Sequence, residues 1–385
     1  MTLHLLACCL LAAAVPAWEV LRIPEAGRDA TAGNNQRKIV TPGPVSVLGY
    51  VTSRGEVTVV HWSDRGRPEV VRLSRPGIRA GLVALAAAGE VVHAAWVDYG
   101  TVGHVWYAAR TPSGWEEGRK ISPGPTYAGF PAIAGGSSEV HVVWYGVRPG
   151  GPTRHGAVYE ILYTRGRGGR WSRPEVISPG LPDALNPALA LGPDGTLHAA
   201  WYQFDGRWYR AVYRARRGEW HPPEIASGPG FDAYGVALDV GPDGTVHLVW
   251  ERRERKGPHV AYVRRSPDGR WSRAELLGRG ERPVAAVSSG AVYVAWESDG
   301  GIYVRTRTTQ WGEPVRLGPG SHPTLAPGPP PLIAWTRPEG PGYAVVVASL
   351  APEPSGVSGK GVGVVLLTAG ALWLGWWLFR RHPPF

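Results

Sequence analysis

An apolar run ending in tryptophan recurs seven times along the 385-residue chain, and this repeat limits the fold more than any other feature. The runs are VTVVHW to Trp62, VVHAAW to Trp96, VHVVW to Trp144, LHAAW to Trp201, VHLVW to Trp250, VYVAW to Trp296 and PLIAW to Trp335. Successive tryptophans are 34, 48, 57, 49, 46 and 39 residues apart, the length of a four-stranded propeller blade of roughly 40–50 residues. A second tryptophan marks the last strand of most units, as in Trp115–Ile121, Trp171–Ile177, Trp220–Ile225, Trp271–Leu277 and Trp311–Leu317. Between the two lies a run rich in β-formers, such as VWYAAR or VAYVRR. Helical periodicity is confined to the chain ends.

The repeat predicts an all-β, seven-bladed β-propeller over residues 18–350, with six blades as the alternative if the first unit is a cap. The last unit, PTLAPGPPPLIAWTRPEGPGYAVVVASL, has no terminal Trp strand of its own, and the N-terminal WEVLRI (Trp18 to Ile23) has the form of the missing strand. Pairing the two would seal the ring and remove a free edge. The first unit is weak at Arg67–Ser74, which predicts a blade of three strands there.

Composition places the chain outside the cell interior. Residues 1–17 read as a signal peptide, with an apolar core Leu3–Val15 and a small-residue cleavage pattern Val15-Pro16-Ala17. Both cysteines, Cys8 and Cys9, fall within it, which excludes a disulfide, thiolate metal site or catalytic cysteine from the mature domain. After a linker at 351–360, residues 361–379 are nineteen uncharged positions followed by Arg380-Arg381. That pattern predicts one transmembrane helix, a cytoplasmic tail at 380–385 and an extracytoplasmic propeller at the periplasm or cell surface. Pro352-Glu353-Pro354-Ser355 before the span resembles a PEP-CTERM sorting tail. The net charge of +10 comes almost wholly from arginines scattered through every blade. Nucleic acid is therefore not the expected partner, and the scarcity of Asn, Gln, Cys and Met suits a thermophile.

The units resemble the sialidase-type propellers with their Asp-box (BNR) turns. Ser266-Pro267-Asp268-Gly269-Arg270-Trp271 is a shortened box, and Thr111-Pro112-Ser113-Gly114-Trp115 keeps only its turn glycine and tryptophan. The resemblance implies architecture, since these boxes are structural turns. It also draws attention to Arg22-Ile23-Pro24, the form of the sialidase motif whose arginine grips a substrate carboxylate. In this chain the same residues fit the closing strand, and the family's other arginines, Tyr–Glu nucleophile pair and acid/base Asp have no matching spacing.

Four units carry a histidine three residues before the tryptophan, namely His93, His141, His198 and His247. A residue repeated around a ring does not gather into one site, so these are expected to bridge neighbouring blades. The Gly-Pro-Asp-Gly turns at 192–195 and 241–244 offer one carboxylate each, too few oxygens for calcium. No cofactor and no metal is expected.

A ligand is expected at one end of the ring, where the loops after each Trp strand and the loops entering each blade meet. They would place Asp98, Tyr99, Tyr127, Tyr145, Arg148, Arg154, His155, Asp183, Asn186, Gln203, Asp205, Asp232, Tyr234, Glu251, Arg253, Glu297 and His322 around a mouth. The expected role is a non-catalytic recognition or scaffolding platform for an envelope protein or glycan. The alternative is a sialidase-like glycoside hydrolase using paired carboxylates, such as Asp205 with Glu251 or Glu297, at a suitable separation.

Overall fold

The computed structural model describes residues 18–63, 66–136, 138–149, 157–178, 180 and 183–350. The leader, the apolar tail, and Arg154 and His155 of the expected mouth lie outside them. No helix among the described residues is long and apolar enough to cross a membrane.

Seven antiparallel sheets form seven blades: residues 39–72, 80–120, 128–176, 184–225, 232–279, 281–319, and 321–349 joined by Trp18–Ala26. The closing strand pairs as expected, with Trp18 opposite Ser349 and Ile23 opposite Val345. Each second strand is buried on both faces, so it is built from alanine, β-branched residues and tryptophan rather than from alternating polar positions. Its tryptophan packs on the preceding blade: Trp96 lies with Val47 and Val59, and Trp250 with Ala188 and Ala200.

Blade 1 departs from the expected phase. It has four strands, Ile39–Val40, Ser46–Val51, Val57–Trp62 and Glu69–Arg72, so Trp62 ends the third strand rather than the second. Tyr50 on the second strand packs back on Leu21, Ile23 and Val345 of blade 7, the place tryptophan takes elsewhere. Apolar pattern alone does not distinguish two adjacent buried strands, which is why the frame slipped.

The repeated histidines do not bridge blades directly. Each pairs within its own blade through Nδ1 to a third-strand tyrosine hydroxyl: His93–Tyr107, His141–Tyr163 and His247–Tyr262 at 2.8 Å, and His198–Tyr213 at 2.6 Å. The tyrosine ring meets the edge of the next blade's outer tryptophan. Centroid separations are 4.8 Å for Tyr107–Trp171, 5.2 Å for Tyr163–Trp220, 5.3 Å for Tyr213–Trp271 and 5.0 Å for Tyr262–Trp311. Burial pushes His141, His198 and His247 down to about 4, so the belt is neutral at physiological pH.

A glutamate on the outer strand, opposite Tyr163, Tyr213 and Tyr262, completes the contact in three of the four. Glu224 of blade 4 receives Arg265 of blade 5 through two hydrogen bonds, at 2.7 and 3.0 Å, and the Trp271 indole at 2.7 Å. Glu275 receives Arg307 at 2.9 Å, and Glu175 the Trp220 indole at 3.0 Å.

Candidate functional site

The mouth is built on a backbone irregularity shared by blades 2 to 7. The innermost strand of each slips register near its start, between Gly81 and Ala84, Gly129 and Ala132, Leu185 and Ala188, Tyr234 and Ala237, Glu281 and Val284, and Ser321 and Thr324. The bulged residue is left-handed: Leu82, Phe130, Asn186, Gly235, Arg282 and His322 all have φ between 48° and 56°. For the five that carry a side chain this costs on the order of 1–2 kcal/mol each, and such strain collects where backbone must be re-aimed. Proline follows four of them, at Pro131, Pro187, Pro283 and Pro323, because the bulge leaves that N–H out of the ladder.

The channel at the centre of these bulges is occupied by the chain itself. The segment joining the closing strand to blade 1, residues 27–38, crosses it and takes up the carbonyls that the bulges release. Asn34 Nδ2 donates to the carbonyls of Gly235 and Pro283 at 2.5 and 2.9 Å, and Asn35 Nδ2 to that of Pro187 at 2.7 Å. Thr31 Oγ1 donates to the His322 carbonyl at 2.7 Å. Lys38 is 1 % exposed and donates to Val83 O, Gly33 O and Gln36 Oε1 at 3.1, 3.0 and 2.9 Å. Burial pushes its pKa well below the ordinary lysine value. Gly33 is required in this plug: its φ is 93°, and a Cβ there would lie 2.6 Å from Gln36 Oε1. On the far side of the plug the channel is a cavity of about 280 Å³, with the Arg37–Asp239 ion pair at 3.0 Å on its wall.

Above the plug the mouth divides into two arcs. Blades 2 to 5 carry aromatics. Tyr99, Tyr127 and Tyr145 form a chain of phenol hydrogen bonds, with Phe130 stacked on Tyr145 at 5.6 Å and Tyr159 tilted against it at 5.9 Å. Tyr202, Tyr209 and Tyr234 form a triangle with centroids 5.0 to 5.5 Å apart, and Phe204 flanks Tyr209 at 5.3 Å. Burial pushes the phenols of Tyr99, Tyr145 and Tyr202 up, and neighbouring phenols add to the effect. None of the three is an ionised nucleophile at neutral pH.

Blades 5 to 7 carry charge. Arg253 pairs with Glu251 and lies 5.0 Å over Tyr234. Arg282 bridges Glu281 and Glu297, both at 2.7 Å, and Glu297 Oε2 accepts the His322 backbone N–H at 3.1 Å. Burial lowers the His322 pKa, although Glu297 opposes that shift.

The sequence-predicted residues separate on this geometry. Tyr99, Tyr127 and Tyr145 come together, as do Glu251, Arg253 and Tyr234, and Glu297 with His322. Others hold the scaffold. Asp98 is 1 % exposed and takes the Trp96 indole and Arg75, each at 2.8 Å. Asp205 caps its loop through the N–H groups of Arg207 and Trp208 at 2.9 and 2.8 Å and pairs with Arg210 at 3.1 Å. Burial raises Asp205, but these bonds outweigh it and hold the carboxyl below its usual value. It therefore lacks the raised pKa that a glycosidase general acid needs. Asp232 accepts the Tyr209 N–H at 2.8 Å, Gln203 the Trp201 indole at 2.9 Å, and Asp183 is fully buried. Asn186 is a bulge residue, and the backbone of Arg148 lies on the Val140–Pro149 strand.

The Gly-Pro-Asp-Gly carboxylates are used within their turns, since Asp194 and Asp243 each take the N–H and hydroxyl of the threonine two residues on, at 3.0 and 2.8 Å. Arg22 is likewise on the outer closing strand, where it forks onto Glu339 at 2.5 to 3.1 Å. Phe130, Tyr159, Tyr202, Tyr209, Glu281, Arg282 and the plug were not anticipated. The signal for four of the bulges was present in an X-Pro near the blade start; the plug has no repeat to betray it.

No family model and no curated protein matches this chain. Solved structures do. A polysaccharide lyase of family PL25, an ulvan lyase, has a TM-score of 0.60 at 10% identity, covering 87% of this chain and 97% of its own. The BP39L lectin from Burkholderia pseudomallei has a TM-score of 0.56 at 16% identity, covering 74% and 83%. A protein of unknown function from Dyadobacter fermentans has a TM-score of 0.56 at 12% identity, covering 87% and 100%. At these identities the likeness is one of fold, and the chain is a seven-bladed β-propeller.

Proposed function

We propose that this protein is an extracytoplasmic recognition propeller that binds a glycan at the mouth without turning it over, held to the membrane by residues 361–379. The observation that carries this reading is the division of the mouth. A continuous aromatic arc suits the apolar faces of sugar rings. Asp205, Asp232, Glu251 and Glu297 are engaged by arginines or backbone donors rather than left as an acid and nucleophile pair. That a lectin and a polysaccharide lyase share the fold is consistent with a carbohydrate ligand. The localisation rests on the leader-like and anchor-like ends of the sequence.

The purified chain should retain members of a glycan array and release no reducing ends from them over hours. Tyr202→Ala and Tyr145→Ala should each weaken retention about tenfold, the loss of one ring contact of roughly 1–1.5 kcal/mol. Hydrolysis abolished by Glu251→Gln or Glu297→Gln would overturn the reading in favour of a glycoside hydrolase.

A further inference from the structure

At the end of the ring away from the mouth, the contact between blades 2 and 3 departs from a pattern that three other contacts follow. At three interfaces a tyrosine of one blade faces a glutamate across its own outer strand: Tyr163 opposite Glu175, Tyr213 opposite Glu224, and Tyr262 opposite Glu275. The next blade supplies an arginine opposite its outer tryptophan, at Arg216, Arg265 and Arg307. These guanidinium groups lie 5.4, 5.3 and 5.9 Å from the tyrosine rings and fill the gap between blades.

Between blades 2 and 3 both members of the pair are exchanged. Arg119 stands opposite Tyr107 where the glutamate belongs, and Gly166 stands opposite Trp171 where the arginine belongs. The result is a slot of about 270 Å³, walled by Tyr107 and Trp171 and floored by Gly166, with Arg119, Glu116 and His93 on its rim. The Arg119 guanidinium lies 5.9 Å over the Tyr107 ring and donates to the exposed Glu116 carboxylate and the Gly169 carbonyl, both at 3.0 Å. An exposed ion pair of this kind is weak and exchangeable.

We propose that this slot binds a pyranose carrying a carboxylate. Two aromatic walls and a side-chain-free floor accept a ring-sized ligand. Arg119, whose exposed pairing with Glu116 is exchangeable, turns its fork to the acid group, and Glu116, once released, accepts sugar hydroxyls. The mouth takes no part, so the two sites stand or fall separately.

The test titrates the full chain with galacturonate, galactose and acetate, followed by saturation-transfer NMR and calorimetry. Galacturonate should bind at least about tenfold more tightly than either galactose or acetate, since the arginine–carboxylate contact is charge-assisted and the ring contact additional. Gly166→Arg refills the slot as in the sister blades, where a Cβ would meet Val140 and Trp171 at 3.0 and 3.1 Å and require only a small shift. It should abolish binding. Arg119→Glu, on a half-exposed side chain, should lower galacturonate affinity at least about tenfold with an unchanged melting temperature. No binding by the parent chain, equal binding of acetate, or binding that survives Gly166→Arg in a folded protein would each overturn the proposal. Mouth variants such as Tyr202→Ala should leave this titration unmoved, which separates its outcome from that of the mouth.

Discussion

The same strands run between two ends that are furnished in opposite ways. At the end away from the mouth, His–Tyr–Trp contacts and Glu–Arg pairs recur from blade to blade, and their side chains bond to one another. At the mouth hardly any side chain repeats: aromatics fill one arc, paired charges the other, and the plug crosses the middle. The repeated end solves one packing problem many times and sets stability. The varied end is free of that task and presents chemistry to solvent. The slot between blades 2 and 3 sharpens the contrast, because there an arginine and a glycine replace the glutamate and arginine of three other contacts.

The contrast makes the belt and its tryptophans the sensitive elements in unfolding experiments. Trp250→Ala, at a side chain with no exposure that packs on blade 4, should cost about 3–5 kcal/mol by urea denaturation. A loss below about 1 kcal/mol would mean that neighbouring blades are not held through this contact.

Acid should act on the same belt. His141, His198 and His247 titrate near 4 in the folded chain but at roughly 6.5 when unfolded. Above pH 6.5 both states are neutral and these groups do not affect stability. Between about 6.5 and 4 the unfolded chain takes up protons that the folded belt refuses, so stability falls as pH falls, by several kcal/mol in aggregate at most. Urea midpoints measured across this range check it, and replacing His198 and His247 with Gln should flatten the curve.

Glu224→Ala leaves Arg265 and the Trp271 indole without their acceptor and should cost roughly 1–3 kcal/mol. Arg253→Lys at the mouth, where the side chain is 56% exposed, keeps a cation beside the nearly buried Glu251 and should change stability by less than about 1 kcal/mol, while loss of the guanidinium fork weakens glycan retention. If Arg253→Lys proved as damaging to folding as Glu224→Ala, the division between a stability end and a recognition end would fail.

Much of the architecture was legible because a propeller writes its core repeatedly. The Trp-ending strands, the outer tryptophans and the Trp18–Ile23 closure could be read by aligning the units, and Arg22 could be assigned to the closing strand rather than to a substrate clamp. Blade 1 was misread in phase because VTVVHW has the apolar density of a second strand while lying on the third. The histidine contacts were misassigned because an odd offset from the tryptophan gives the face but not the partner, and the partner is a tyrosine on the adjoining strand. At the mouth, loop position grouped Asp98, Asp205 and Asp232 with Tyr145 and Glu251. Only the tertiary structure shows that these three aspartates are held by indole and backbone donors of their own blades.

By itself the sequence determined the ring: strand periodicity, turn chemistry and spacing are local properties, and repetition averages away their ambiguity. The tertiary structure alone decided what fills the ring. The plug of residues 27–38 contacts blades 2, 4, 5, 6 and 7 through partners as much as 305 residues away. Contacts at such separation depend on where the closed ring brings the chain and leave no period in the sequence. The exchange of Arg119 and Gly166 likewise acquires meaning only when blade 2 faces blade 3 and an expected pair is seen to be replaced by a slot.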